Sequence, residues 1–159
     1  MLKLIKVSYP HINNMKNTKI LYAPALAWGI FVFILSVLPG KDLPSIPNWS
    51  SIFSVDKIVH ILFYGGLTWL ILRGKRKHRD GGISLNFAIG ITLFASAYGW
   101  FLEWFQGAYC QDRMSDVMDG IANTVGALLG LLIFLYFYQR KVRDKTQRSA
   151  QFIEKKQLL

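Results

Sequence analysis

The chain has 159 residues, which suits one domain of ordinary size, but its 52% hydrophobic and 14% aromatic content is high for a soluble globule and points to the membrane. A net charge of +10 raises nucleic acid as a partner, yet the basic residues stand between apolar stretches, where they set orientation; no nucleic-acid function is expected. Cys110 is the only cysteine, so an intrachain disulfide is excluded.

In chain order, four stretches are about long enough to cross a hydrocarbon core, which takes roughly 20 residues. They are 20–38, 58–72, 83–102 and 120–138. The second is short, but Lys57 and Arg73 at its ends can snorkel to the headgroups. The first is too long for the apolar part of a signal peptide and is followed by PGKDLP rather than a small-residue cleavage site, so it is read as retained. An all-α membrane protein, a four-transmembrane-helix bundle, follows, because lipid offers an open sheet edge nothing to bond to. Segment 39–55, with Pro39, Pro44, Pro47 and the interface anchor Trp49, reads as an ordered outer loop.

This divides the chain into an N-terminal segment 1–19, a transmembrane domain 20–138 and a basic tail 139–159. Sixteen of the nineteen Lys and Arg residues precede the first span, separate the second from the third, or follow the fourth. With four spans those segments share one side, and the positive-inside rule makes it cytoplasmic, with both termini inside a bacterial cytoplasmic membrane. Six of the nine acids, Asp42, Asp56, Glu103, Asp112, Asp116 and Asp119, fall on the other side.

The polar residues of the spans share helical faces. Asp116, Asp119, Asn123, Gly126 and Gly130 follow one another at three- and four-residue intervals on one stripe of the fourth helix. Its glycine half is a GxxxG pair that admits another helix, within the chain or from a second copy in a homo-oligomer. Asp56, His60 and Tyr64 share a face of the second helix, and Glu103 and Gln106 lie three apart where the third leaves the membrane. Asp116 and Asp119 also suit an N-cap and the third helical position, which account for them without a ligand. Capping does not explain Asn123, a turn deeper, for which an interhelical hydrogen bond is the alternative to a ligand contact. A carboxylate near a helix centre costs about 2.5–3.5 kcal/mol on insertion scales, so these faces are expected to cluster rather than meet lipid.

DKIVH at 56–60, EWFQ at 103–106 and RMSDVMDGIANTVGALLG at 113–130 together resemble the VanZ-like family of small bacterial membrane proteins, whose pattern runs DKxxH, ExxQ, RxxxxxDxxxNxxGxxxG. The resemblance falls on Asp56, Lys57, His60, Glu103, Gln106, Arg113, Asp119, Asn123, Gly126 and Gly130, with Asp116 at a position often polar. SVLPG at 36–40 is a weaker echo, and the connection GAYCQD, with Cys110 and Asp112, lies outside the pattern. The family takes its name from a protein associated with teicoplanin resistance, so the resemblance implies a cell-envelope role that touches glycopeptide tolerance. It implies no reaction.

Two classes of function remain. One is an envelope accessory protein that binds the headgroup of a membrane lipid or lipid-linked cell-wall precursor, with Arg113 and Lys57 donating to phosphate and Glu103, Asp119 and Asn123 orienting them. The other is a hydrolase or transferase at the membrane surface, with Glu103 or His60 as general acid or base and a divalent ion on Asp56, Asp116 and Asp119. The first needs no cofactor and is favoured, since no GxSxG, HExxH or P-loop is present.

Overall fold

The computed structural model describes residues 18–38, 55–79, 83–111 and 113–157. The N-terminal segment before Thr18, the segment with Pro39, Pro44, Pro47 and Trp49 that is expected to form an outer loop, and Asp112 lie outside the described residues. Four helices make up the rest: α1 (Thr18–Val37), α2 (Val55–Arg79), α3 (Leu85–Tyr109) and α4 (Val117–Gln157). Each contains a window apolar and long enough to cross a membrane, and no strand occurs among the described residues. The fold is therefore a four-transmembrane-helix bundle.

The helices overrun the apolar stretches that mark them. Helix α2 begins before Asp56 and Lys57 and continues through Arg73–Arg79, so it has 25 residues where the apolar run suggests a short span. Helix α4 does not stop at Tyr138 but runs on to Gln157. Hydropathy marks only the part immersed in lipid. Backbone pairing propagates past the interface wherever Lys, Arg, Gln and Glu, all good helix formers, follow. At about 1.5 Å per residue, the 41 residues of α4 extend about 60 Å, twice a hydrocarbon core of about 30 Å.

Starts and stops have local causes. The Ser84 hydroxyl accepts from the Phe87 N–H at 3.3 Å and caps α3. Asp116 caps α4, its Oδ1 accepting from the Met118 N–H at 2.8 Å while its carbonyl accepts from Asp119 and Gly120. Pro24 lies inside α1, where lipid-embedded helices tolerate a missing N–H.

Side-chain contacts fix the relative directions. The Tyr98 hydroxyl donates to the Gly29 carbonyl at 3.1 Å and the Gln106 amide to the Ser36 carbonyl at 3.0 Å, so α1 and α3 run side by side in the same direction. Lys57 reaches Asp119 and His60 reaches Asn123 at separations of 62 and 63 positions, so α2 and α4 are likewise parallel. The two pairs oppose each other, and the chain crosses back and forth four times. One end of the bundle gathers the end of α1, the start of α2, the end of α3 and the start of α4. It is called the acidic end here; the other is the basic end.

The closest packing joins α2 to α4. A Cβ on Gly126 would strike the Ile61 carbonyl, and one on Gly130 would strike the Gly65 carbonyl; a Cβ on Gly65 would in turn stand 3.0 Å from the Gly126 oxygen. The GxxxG pair is thus spent inside the chain, bringing two backbones together as small residues do in membranes. Buried Tyr64, Leu67, Ala95, Leu102 and Ala127 form the core beside this seam, and Leu72, Ala88, Leu131 and Phe134 continue it toward the basic end. There Arg73 lies over Trp69 at 5.1 Å, Lys75 over Phe87 at 4.8 Å and Arg76 over Tyr138 at 5.4 Å, each cation resting on an interfacial ring.

Candidate functional site

The stripe on α4 faces α2 along its whole length. Above the glycine seam, Asn123 meets His60, its Oδ1 lying 2.8 Å from His60 Nδ1. One turn nearer the acidic end, Lys57 Nζ stands 3.2 Å from Asp119 Oδ1 and 3.4 Å from Asp116 Oδ2. The close glycine packing below sets this geometry, because it draws the polar turns above it within side-chain reach. Asp116 therefore combines capping with an ion pair, and Asp119, at the third helical position, pairs with the same lysine.

Helix α3 closes the third side. Glu103 is 3% exposed; its Oε1 lies 3.6 Å from His60 Nδ1 and its Oε2 accepts from the Asp116 N–H at 3.5 Å. Gly99, one turn below, leaves room for Asn123: a Cβ there would fall 2.6 Å from the Asn123 Cβ. Asp56 completes the group from the rim, its Oδ1 3.8 Å from His60 Nε2. Asp56, Lys57, His60, Glu103, Asp116, Asp119 and Asn123 are thus one cluster from three helices at one depth, as the shared helical faces imply. His60 thus turns Nδ1 toward the Asn123 amide oxygen and Nε2 toward Asp56. The Asn123 amide nitrogen has no partner among the described residues.

Four carboxylates surround one lysine and one imidazole, so the cluster is rich in acceptors and short of cations. The exposed members are Asp56 and Asp116, with side chains 58% and 47% accessible, against 13% for Lys57 and 10% for Asp119. The mouth of the site therefore presents carboxylate oxygens, while its lysine is already shared between two aspartates.

Gln106 and Arg113 lie elsewhere. The last carbonyls of a helix have no partner within it and form its negative end. Here Arg113 donates from Nε to the Leu38 carbonyl and from Nη2 to the Leu35 carbonyl, both at 3.4 Å, and Gln106 takes the Ser36 carbonyl. Cys110 Sγ lies 4.0 Å from that same oxygen. These residues clasp the end of α1 to the α3–α4 connection, outside the carboxylate cluster.

For a metal, the donor atoms that converge among the described residues are those of Asp56, His60 and Asp119, all within 4.8 Å of one another. Asp116 is not among them and His60 takes its place. Carboxylate and imidazole donors suit a divalent ion. Lys57, 3.2 Å from Asp119, would have to move aside for one.

Several contacts escape the sequence patterns. Thr124 shares a 2.7 Å hydrogen bond with Ser96 and accepts from Trp100 Nε1 at 3.2 Å, tying α4 to α3. The Trp100 ring also covers Gly120, where a Cβ would lie 2.7 Å from Cε3. Trp28 Nε1 donates to the Phe63 carbonyl at 2.9 Å. Isolated hydroxyls and indoles in apolar helices carry no spacing signal; their only sign is that a buried N–H or O–H requires a partner.

The fold and the site define a multi-pass helical membrane protein with an interhelical polar cluster near one end of the bundle. A sequence profile described as VanZ/LLP1 matches residues 6–138, and the chain belongs to that family. The match extends well beyond residues 56–130, where the motifs lie. No curated protein and no solved structure gives a significant match.

Proposed function

We propose that this VanZ/LLP1-family protein is a cell-envelope accessory protein whose acidic-end cluster recognises the hydrogen-bond-donating part of a headgroup, such as an ammonium or sugar hydroxyl, on a membrane lipid or lipid-linked cell-wall precursor. Engagement of such a precursor is its route to glycopeptide tolerance. The observation that carries the reading is the composition of the mouth, where Asp56 and Asp116 are the accessible groups and Lys57 is held between Asp116 and Asp119. Phosphate recognition by Lys57 and Arg113 is less well supported, because both cations are engaged within the chain. Residues 20–138 form the binding domain, flanked by cytoplasmic segments 1–19 and 139–159, with the acidic end outside the cytoplasmic membrane. The charge distribution supports that orientation.

The second reading is a metal-assisted hydrolase or transferase, favoured by the convergence of Asp56, His60 and Asp119. A titration of the purified protein with phosphatidylethanolamine and phosphatidylglycerol, read by native mass spectrometry, separates the two. Retention of the ethanolamine lipid, weakened by Asp56→Asn and indifferent to chelator, supports headgroup binding. Asp56 is the variant of choice because Asp116 also caps α4. Equal retention of both lipids would sink the reading, and turnover of a lipid-linked substrate that stops with chelator would replace it by the enzymatic one.

A further inference from the structure

Helices α1, α2 and α3 do not close on one another along the face away from α4. Between them lies a groove of about 410 Å³, within the range of about 300–1,000 Å³ typical of small-molecule sites. Leu26, Gly29 and Phe33 of α1, Leu67 of α2, and Phe94 and Tyr98 of α3 line it, with Phe33 toward the acidic end. Leu26 and Phe94 are 67% and 58% exposed, so the groove opens sideways toward lipid.

Three observations say what fills it. The Tyr98 hydroxyl at its border is taken by the Gly29 carbonyl and the indole N–H of neighbouring Trp28 by the Phe63 carbonyl, so hydrocarbon suits this surface better than water. Gly29 is not demanded by helix packing: a Cβ there would sit 3.7 Å from Leu67 Cδ1, an ordinary contact, unlike the backbone collisions at Gly126 and Gly130. Its missing side chain leaves room in the groove instead. Depth supplies the third. From Tyr22 to Phe33 the groove runs about 16 Å along α1, roughly half of a hydrocarbon core of about 30 Å, and Tyr98 stands five residues, about 8 Å, below Glu103. The aromatic pair Tyr64–Tyr98, 6.3 Å between centroids, spans from the α2 face that carries His60 to the groove.

We infer that the groove holds one acyl chain of a phospholipid whose headgroup lies at the acidic-end cluster. The inference rests on the headgroup reading above and adds that the ligand is recognised by its chain as well as its head. Tyr64 and Tyr98 pack between the two recognition elements, and a lipid that engages both binds more tightly than its detached headgroup.

The test reconstitutes the full chain in phosphatidylcholine nanodiscs containing a small fraction of phosphatidylethanolamine with a diazirine in mid-chain, and maps photolabelled peptides by mass spectrometry. Labelling at residues 25–33 and 94–98 is expected to exceed that at the comparably exposed Leu128 and Leu132 of α4 by about tenfold, the ratio corresponding to 1.4 kcal/mol. Gly29→Phe, which fills the groove, should bring it down to the α4 level. Leu26→Trp, an exposed wall position that spares the helix packing, should do the same if Gly29→Phe does not fold. Uniform labelling of all lipid-facing surfaces, or labelling indifferent to both variants, overturns the chain site. Displacement by less polyprenyl phosphate than unlabelled phosphatidylethanolamine overturns the acyl assignment. Groove labelling that survives Asp56→Asn unchanged leaves the chain site standing and removes the headgroup. Asp56-dependent lipid retention with uniform labelling does the reverse.

Discussion

His60 of α2 and Asn123 of α4 meet side chain to side chain at 2.8 Å, one turn above the point where Gly126 lies against the Ile61 carbonyl. Polar pairing and backbone packing are therefore two parts of one parallel helix interface. Asn123 is fully buried, so removing its partner leaves an amide with nothing to bond. We expect His60→Ala and Asn123→Ala to couple by about 0.5–2 kcal/mol in a double-mutant cycle, the range seen for interhelical hydrogen bonds in membranes. Unfolding in detergent micelles measures it; additive single effects would show that the contact carries no energy of its own.

The glycines separate packing from propensity. Gly126→Ala and Gly130→Ala each drive a methyl into a facing carbonyl of α2 and should destabilise by about 1–3 kcal/mol, as overpacking does. Gly90, whose added Cβ meets nothing within 4 Å, should accept alanine with no loss. Folded yield and thermal inactivation of the three variants side by side give the comparison, and an equal response at Gly90 and Gly126 would remove the seam from the account.

Arg113 should behave as a clasp. Lysine keeps the charge that favours a helix C-terminus but cannot reach two carbonyls from two nitrogens, so Arg113→Lys should lose about 1 kcal/mol and Arg113→Ala more. Oxidative crosslinking of Ser36→Cys to native Cys110 reports the closure of α1. We expect efficiency to fall from wild type through lysine to alanine, whereas an unchanged yield in Arg113→Ala would free Arg113 for a ligand.

The charge distribution predicts an orientation that is open to direct measurement. With the acidic end outside, an impermeant maleimide should label half-buried Cys110 in intact cells, and a cysteine at Lys77, in a Cys110→Ser background, should react only after permeabilisation. The opposite pattern would invert the topology and place the cluster at the cytoplasmic face.

How much of this was readable follows from the range of each interaction. The α4 stripe and the polar face of α2 repeat at helical spacing, so their meeting could be foreseen from the insertion cost of leaving them in lipid. That Lys57 pairs with Asp119 and Asp116, rather than standing free for phosphate, depends on the parallel register of α2 and α4, which the glycine seam sets and no local pattern encodes. Arg113 was legible as a motif residue but not as a clasp, because its acceptors are backbone carbonyls some 75 positions away, and carbonyls have no sequence signature. The groove was invisible for a related reason: Gly29 reads like any other small residue in a span until its neighbours are seen not to require it.

Lys57 offers the sharpest separation of structure from function. Its ammonium is 3.2 Å from Asp119, and the two side chains are only 13% and 10% exposed. Removing one partner of a buried pair strands the other charge, which typically destabilises by about 3–5 kcal/mol, whereas replacing both by apolar groups of similar volume is often neutral. Lys57→Met should therefore fold poorly, and Lys57→Met with Asp119→Leu should recover wild-type stability in detergent. The double variant still carries Asp56 and Asp116 at the mouth but has lost the buried pair beneath them. On the proposed envelope role, recovered stability brings recovered glycopeptide tolerance if the cluster exists only to hold α2 against α4. If the pair fixes Asp116 for a ligand, stability returns and tolerance does not. We expect the second result, in cells expressing the variants at equal membrane levels, because the 3.4 Å contact from Lys57 anchors the half-exposed carboxylate of Asp116 at the mouth of the site.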